Sequence, residues 1–269
     1  MYQSSSKTIL VEQAGAVLRI RFNRPERLNA LNYEAITAAI KLIRQAGQDW
    51  GVRAVVFEGA GAAFCSGDDL EDMGEWPKEY AHRQPGGGHG PGPILEQDLL
   101  RLIRPLQKPT MAVMHGSVLG LGLDLACACD IRVCTDDTII GDPRIHQARP
   151  TATGITYILP RIVGQSQAMR LLLLGEQIDG KEAERIGLVY KSFPADQFFD
   201  EVEQLIAQLA NMATRSYALI KQQIVEQLDM AYETALMHSM GIRQTNVIED
   251  RQEGINAFLE KRQPRFTGR

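Results

Sequence analysis

No stretch of this 269-residue chain stays apolar for the roughly twenty residues of a membrane-spanning helix, because Arg, Asp or Gly interrupts every run first. Residues 1–7 are short and polar and lack the apolar core of a secretory signal. A soluble, cytoplasmic protein is therefore expected. Basic runs are also missing. With 29 Lys and Arg against 33 Asp and Glu, the net charge is -4, which argues against a nucleic-acid partner. Cysteine is scarce, and Cys65, Cys127, Cys129 and Cys134 do not have the spacing of a zinc site. Cys127 and Cys129 lie two apart in an apolar run, where a helix would point them in different directions. Buried free thiols and no metal are expected. The chain has no internal repeat.

What is present is an ordinary globular composition, 44% hydrophobic and 23% charged, enough for one large core with or without a smaller appendage. Residues 17–22 alternate apolar and polar as a half-buried strand does. Asn32 is placed to cap a helix over 33–46, with Ile36, Ala39, Ile40 and Ile43 at helical spacing. Residues 54–57, 110–114 and 131–134 read as buried strands, 94–104 as an amphipathic helix ended by Pro105, and 124–129 as the first turns of an apolar helix. The glycine–proline tract 85–93 reads as a surface loop, a lid or a plain insertion. After Pro194 the pattern turns helical: 197–212, 216–228, 230–244 and 255–261. The expected organisation is an α/β core over 1–194 and a helical region over 195–269, whose apolar stripes must pack on the core or on a neighbouring subunit.

Two glycine-containing turns stand out, each after a buried strand. One is Phe64-Cys65-Ser66-Gly67-Asp68-Asp69-Leu70; the other runs from His115 through Gly116, Gly120 and Gly122 to Asp124. Glycine permits backbone conformations that other residues resist. The second turn leads into a helix, whose first N–H groups lack intrahelical acceptors and attract negative charge. Two such donors aimed at one point form an oxyanion hole. Each turn alone has a packing explanation.

Together, and in this order, they resemble the crotonase (enoyl-CoA hydratase/isomerase) family. The resemblance spans nearly the whole chain: Asn23-Arg24-Pro25-Glu26-Arg27-Leu28-Asn29-Ala30-Leu31, the two turns, Lys108-Pro109-Thr110 to Gly116, Cys129-Asp130-Ile131-Arg132, and the C-terminal Arg251-Gln252-Glu253-Gly254 and Ala257 to Arg262. It implies an α/β spiral of β-β-α turns with a C-terminal helical region, acting on acyl-coenzyme A thioesters as a homotrimer or dimer of trimers. No cofactor is implied beyond the coenzyme A of the substrate. By position, the oxyanion donors would be the N–H groups of Asp68 and Leu121, with Ser66 and Gly120 beside them. Arg27, Leu28 and Ala30 would approach coenzyme A, as would Phe258 and Lys261, although a solvated helix charge also explains Lys261.

The chain departs from the family at its acid/base pair. Hydratases of this family use two glutamates; here Asp124 stands at the first position and Arg144 at the second. A guanidinium does not act as a base at neutral pH. Three readings follow. Asp124 works alone, as in an isomerase; or Asp142 supplies the missing carboxylate; or Arg144 grips an anionic substrate in a hydrolytic or ring-modifying reaction. His146 adds a candidate base, and Arg149 makes the loop polar. A plain Asp142–Arg144 ion pair shaping the loop, and a first-turn helix carboxylate at Asp124, stand as structural explanations. His115 is expected to pack beside the turn, and Asp69 to cap a helix starting at Leu70. A non-catalytic acyl-CoA-binding protein is the reading from another class.

Overall fold

A computed structural model describes residues 2–83 and 94–269, so the tract 85–93 expected as a surface loop lies outside the described residues. The chain opens with an antiparallel hairpin, β1 (Ile9–Ala14) and β2 (Val17–Phe22), in which Ile9 faces Phe22. Next comes α1 (Tyr33–Gln48), capped as expected: the Asn32 side chain accepts from the Ala35 N–H at 3.0 Å. There follow β3 (Ala54–Gly59), α2 (Leu95–Ile103), β4 (Thr110–Met114), β5 (Ser117–Leu119), α3 (Leu121–Ala128), β6 (Ile131–Thr135) and β7 (Ile139–Gly141). Then come α4 (Ile155–Val163), α5 (Gln165–Leu173), β8 (Gln177–Ile178), α6 (Gly180–Arg185) and β9 (Lys191–Phe193). The chain finishes with α7 (Phe198–Asn211), α8 (Thr214–Gln227), α9 (Tyr232–Thr245) and α10 (Asp250–Leu259).

The main sheet has the order β1-β2-β3-β4-β6-β9 and is parallel beyond the opening hairpin. A second layer is built from short strands, β5-β7-β8. Two isolated parallel bridges, Leu31 with Asp68 and Cys65 with Val118, extend it toward the first turns. Each winding of the chain thus puts a long strand in the main sheet, a short stub in the second layer and then a helix.

Alternation along the long strands sorts their side chains onto two faces. Leu18, Ile20, Phe22, Val55, Phe57, Ala112 and Met114 join the buried sides of α1, α2 and α3 in the larger core. Val17, Ala54, Val56, Met111, Val113 and Val133 form a second core under α7, through Phe198, Val202, Ile206 and Leu209. The rest of the tail is fastened by polar contacts. The Lys221 ammonium meets Asp130 at 2.9 Å, and the Arg53 guanidinium donates to the carbonyls of Met212 (2.6 Å) and Phe266 (2.9 Å). Apolar residues of α8, α9 and α10 stay exposed, among them Ile224, Met237, Met240 and Phe258.

Two expectations change. No helix starts at Leu70. Asp69 instead accepts from the N–H groups of Glu71 and Asp72 and pairs with Arg24 at 2.7 Å. The segment 155–185 carries α4, α5, β8 and α6, which the strand and helix readings above left out. All four cysteines are buried free thiols. No helix of the described residues is long and apolar enough to cross a membrane.

Candidate functional site

The register of the second layer decides where the two glycine turns meet. Cys65 and Val118 are bridge partners on parallel neighbours, and Leu119 N–H donates to the Cys65 carbonyl at 3.0 Å. Three residues further along each stub stand Asp68 and Leu121. Equal offsets on adjacent parallel stubs bring these two backbone positions side by side. Gly67 makes the approach close: a Cβ there would stand 3.1 Å from the Leu119 carbonyl and 3.6 Å from the Leu121 nitrogen. Its φ is +111° and that of Gly120 is +52°, both in the region that favours glycine. Among the described residues, neither the Asp68 nor the Leu121 N–H has an internal acceptor. Leu121 opens α3, so its N–H is one of the orphans of a helix N-terminus.

Segment 24–31 is stapled onto the first turn. Leu31 N–H donates to Gly67 O (2.8 Å), Asp69 N–H to Leu31 O (3.0 Å) and Ser66 N–H to Leu28 O (3.0 Å). The Asn29 amide donates to the Ala60 and Ala63 carbonyls at 2.8 and 2.6 Å. Arg27, Leu28, Ala30, Ser66 and Asp68 therefore cluster. Ala30 is buried, Leu28 is 44% exposed, and the Arg27 guanidinium pairs with Glu71. Phe258 is exposed at the end of α10, with Lys261 just beyond it. No hydrogen bond or ion pair among the described residues joins either to this cluster. His115 lies at the second turn, its Nε2 2.9 Å from the Gly61 carbonyl.

The acid/base candidates form a closed unit. Asp124 sits in the first turn of α3, and Asp142 caps the short helical turn Pro143–Gln147 that carries Arg144. The Arg144 guanidinium lies between both carboxylates. Nη1 and Nη2 donate to the two Asp124 oxygens at 2.8 and 2.7 Å, and Nε and Nη2 to the two Asp142 oxygens at 2.8 and 2.6 Å. The Thr153 hydroxyl adds a 2.5 Å bond to Asp124 Oδ2. All three residues are buried, at 1%, 1% and 5% exposure, so two carboxyls share one guanidinium away from water. Burial pushes the Asp124 carboxyl up, against the opposing pull of Arg144 and Thr153. The paired carboxylates hold the Arg144 proton more tightly than usual, against the cost of its burial.

This geometry corrects two expectations. Four of the five guanidinium N–H donors of Arg144 are spent on aspartates, so it does not offer a bidentate grip to a substrate anion. Nor are Asp124 and Asp142 free, since each has both oxygens engaged. His146 does not join them: it is exposed and lies against Gly175, where an added Cβ would stand 2.3 Å from its Nε2.

Arg149 enters the sequence reading only as a polar loop residue, and Glu96 has no place in it. Arg149 reaches back to the Asp68 carboxylate at 2.9 Å. Glu96, on α2, is 9% exposed with Oε2 unpartnered. A hint existed: Glu96, Leu100 and Ile103 share one helical face, so a carboxylate sits on an apolar stripe. Next to it, Gln97 donates to the Ala152 carbonyl at 2.6 Å, bracing α2 against the segment that carries Thr153. A cleft of about 540 Å³ is lined by Gln97, Leu100, Thr153 and Ile158 and does not include Asp68, Leu121 or Asp124. Among the described residues no group of three or more His, Cys, Asp or Glu could hold a metal ion.

Comparison with known proteins agrees with this architecture. The enoyl-CoA hydratase/isomerase family model matches residues 12–269. A Mycobacterium bovis protein named a probable enoyl-CoA hydratase is 32% identical, over 99% of this chain and 95% of its own. The 1,2-epoxyphenylacetyl-CoA isomerase of Escherichia coli is 30% identical, over 97% of this chain and 98% of its own. The crystal structure of an enoyl-CoA hydratase from Bacillus anthracis superposes with a TM-score of 0.86 at 26% identity, covering 97% of this chain and 100% of that one. The mixed α/β spiral with its C-terminal helices is thus the crotonase fold, and the chain is an enzyme belonging to the enoyl-CoA hydratase/isomerase family of the crotonase superfamily.

Proposed function

We propose that this enzyme binds an acyl-CoA with its thioester carbonyl between the N–H groups of Asp68 and Leu121, forms the enolate there, and moves a proton rather than adding water. The observation that carries the reading is the pair of unpartnered N–H groups at equal offsets on adjacent parallel stubs. Negative charge grows on the thioester oxygen when a C2 proton leaves. A fixed donor aimed at that oxygen is worth about 3–4 kcal/mol in such sites. Water addition asks for two carboxylates free to hold and activate the water. Here the two nearby aspartates, Asp124 and Asp142, are saturated by Arg144. Proton transfer within an enolate remains, as in a double-bond isomerase.

A second reading concerns the acyl group. The relative named as a 1,2-epoxyphenylacetyl-CoA isomerase favours a ring-bearing acyl group over a plain chain. The clustering of Arg27, Leu28, Ala30 and Ser66 beside the first turn supports a coenzyme A path along segment 24–31. The chemistry asks for no cofactor beyond that coenzyme A. Phe258 and Lys261, which make no hydrogen bond or ion pair with the cluster within the described residues of one chain, fit a contact made across subunits. The exposed apolar residues of α8 to α10 support assembly into a homotrimer or a dimer of trimers. Four free thiols suit a reducing cytoplasm.

The test is mass spectrometry of 2-enoyl-CoA and 3-enoyl-CoA esters, aliphatic and aryl, incubated with the enzyme in isotopically labelled water. Solvent deuterium in the acyl chain without heavy oxygen is expected. Heavy oxygen in the chain would mean hydration and overturn the proton-transfer reading. Tight binding of the esters without exchange or turnover would leave the chain a binder of acyl-CoA and overturn the reading altogether.

A further inference from the structure

The proton-transfer reading leaves open which group carries the proton, because every oxygen of Asp124 and Asp142 is already hydrogen-bonded. Glu96 differs from both. It stands in the first turn of α2, is 9% exposed, and its Oε2 is fully enclosed with no hydrogen-bond partner. An enclosed, unpartnered carboxyl oxygen costs stability unless a ligand uses it. Its surroundings place it at the first turn. The charges that act on it are the Asp68 carboxylate, the Arg149 guanidinium that pairs with Asp68, and Asp98 on its own helix. From α1, the Tyr33 phenol feels both Glu96 and Asp68. Geometry ties the same turn of α2 to the site: Gln97, next to Glu96, donates to the Ala152 carbonyl, and the neighbouring Thr153 donates to Asp124 in the first turn of α3.

Resting on that reading, we propose that Glu96 is the catalytic acid/base of this site, shuttling one proton between C2 and C4 of the bound acyl-CoA. In a 3-enoyl-CoA, the ionised carboxylate takes the C2 proton. The C–H electron pair moves into C1–C2, and the thioester oxygen carries the charge between the Asp68 and Leu121 N–H groups. The carboxylic acid so formed returns its proton to C4, the double bond settles at C2–C3, and the thioester carbonyl is restored. One proton leaves and one is added, with no oxidant or co-reactant. Burial, the largest influence on Glu96, raises its proton affinity, which suits a group that must remove a proton from carbon. The Asp124–Arg144–Asp142 unit then acts by position, holding the start of α3 and the neighbouring loop in place.

The test compares wild type with Glu96→Gln and Glu96→Asp, reading three quantities on a 3-enoyl-CoA: isomerisation rate, deuterium exchange at C2, and KM. Glu96→Gln keeps the shape and removes the exchangeable proton. Its kcat is expected to fall by at least about 100-fold, as for loss of a general acid/base, with KM changed less than about threefold. Glu96→Asp should recover part of the rate. In the infrared difference between wild type and Glu96→Gln over a pH series, a band of one neutral carboxylic acid that grows on lowering the pH reports the proton directly. A Glu96→Gln variant as active as an active wild type overturns this assignment and leaves the enolate reading intact. A wild type that neither exchanges nor isomerises overturns the enolate reading, and the assignment with it.

Discussion

Arg144, at the position where the sequence resemblance leads one to expect a glutamate, ties down the two carboxylates nearby, Asp124 and Asp142. Removing it leaves two buried, unpaired carboxylates, a loss typically worth about 3–5 kcal/mol. Arg144→Met is therefore expected to lower the urea midpoint strongly, and by less at acidic pH, where burial favours the neutral Asp124 carboxyl. A midpoint shift independent of pH would contradict this account of the unit. Glu96 has its own signature. Burial raises its folded-state proton affinity above the ordinary carboxylate value of 4.5, so its contribution to stability is fully present below that pH and is lost as pH rises through the folded value. Glu96→Gln removes that loss. The melting temperature of the variant relative to wild type should rise from about pH 4.5 upward, as differential scanning fluorimetry over a pH series would show.

At the scale of elements, the site depends on how closely two stubs approach. Gly122, in the first turn of α3, sits against the first turn: a Cβ there would stand 2.3 Å from the Cys65 carbonyl, the acceptor of the Leu119 N–H that pairs the stubs. Gly122→Ala is expected to cost about 1–3 kcal/mol through overpacking. It should cost the reaction more, about 100-fold in kcat, since a shift of about 1 Å between donors spoils an oxyanion site. Steady-state kinetics beside urea unfolding separates the two. The C-terminal end has a comparable device. Buried Asp250, opening α10, accepts from the Thr267 N–H (2.7 Å), the Thr267 hydroxyl (2.9 Å) and the Gly268 N–H (2.7 Å). Burial alone would raise its carboxyl, but these donors outweigh it and hold it below the usual 3.8. Its stabilisation is present above that value and is lost as pH falls through the lowered one. Hydrogen exchange should show α10 and the last five residues loosening first below about pH 3.8.

At the scale of the molecule, the helical tail divides its work. Helix α7 covers one face of the main sheet, while α8 to α10 hold the core mainly by polar contacts and leave Ile220, Ile224, Met237, Met240 and Phe258 exposed. Exposed apolar residues on three successive helices suit contact with further copies of the chain. Light scattering should give a trimer or hexamer mass, and Met237→Glu should shift it toward the monomer. A wild-type monomer at micromolar concentration would remove the assembly proposal.

Much of this was legible in the residues themselves. The alternation of 17–22, the Asn32 cap, the buried strands at 54–57 and 110–114, the two glycine turns and the helical tail all follow from local periodicity and from the few residues that tolerate unusual backbone. Less visible were β1, an edge strand with only Ile9 buried, and the short elements over 155–185, whose periods are too brief to stand out from loops. The sequence by itself determined the chain's family and pointed to its two candidate donors, because the motifs that carry both are written in contiguous residues. Only the tertiary structure decided that Arg144 spans Asp124 and Asp142, that Asp69 answers Arg24 instead of capping a helix, and that Glu96 lies enclosed with Oε2 unpartnered. Those facts join residues up to 45 positions apart across different elements, and an ion pair or an unpartnered oxygen exists only once packing has chosen its neighbours.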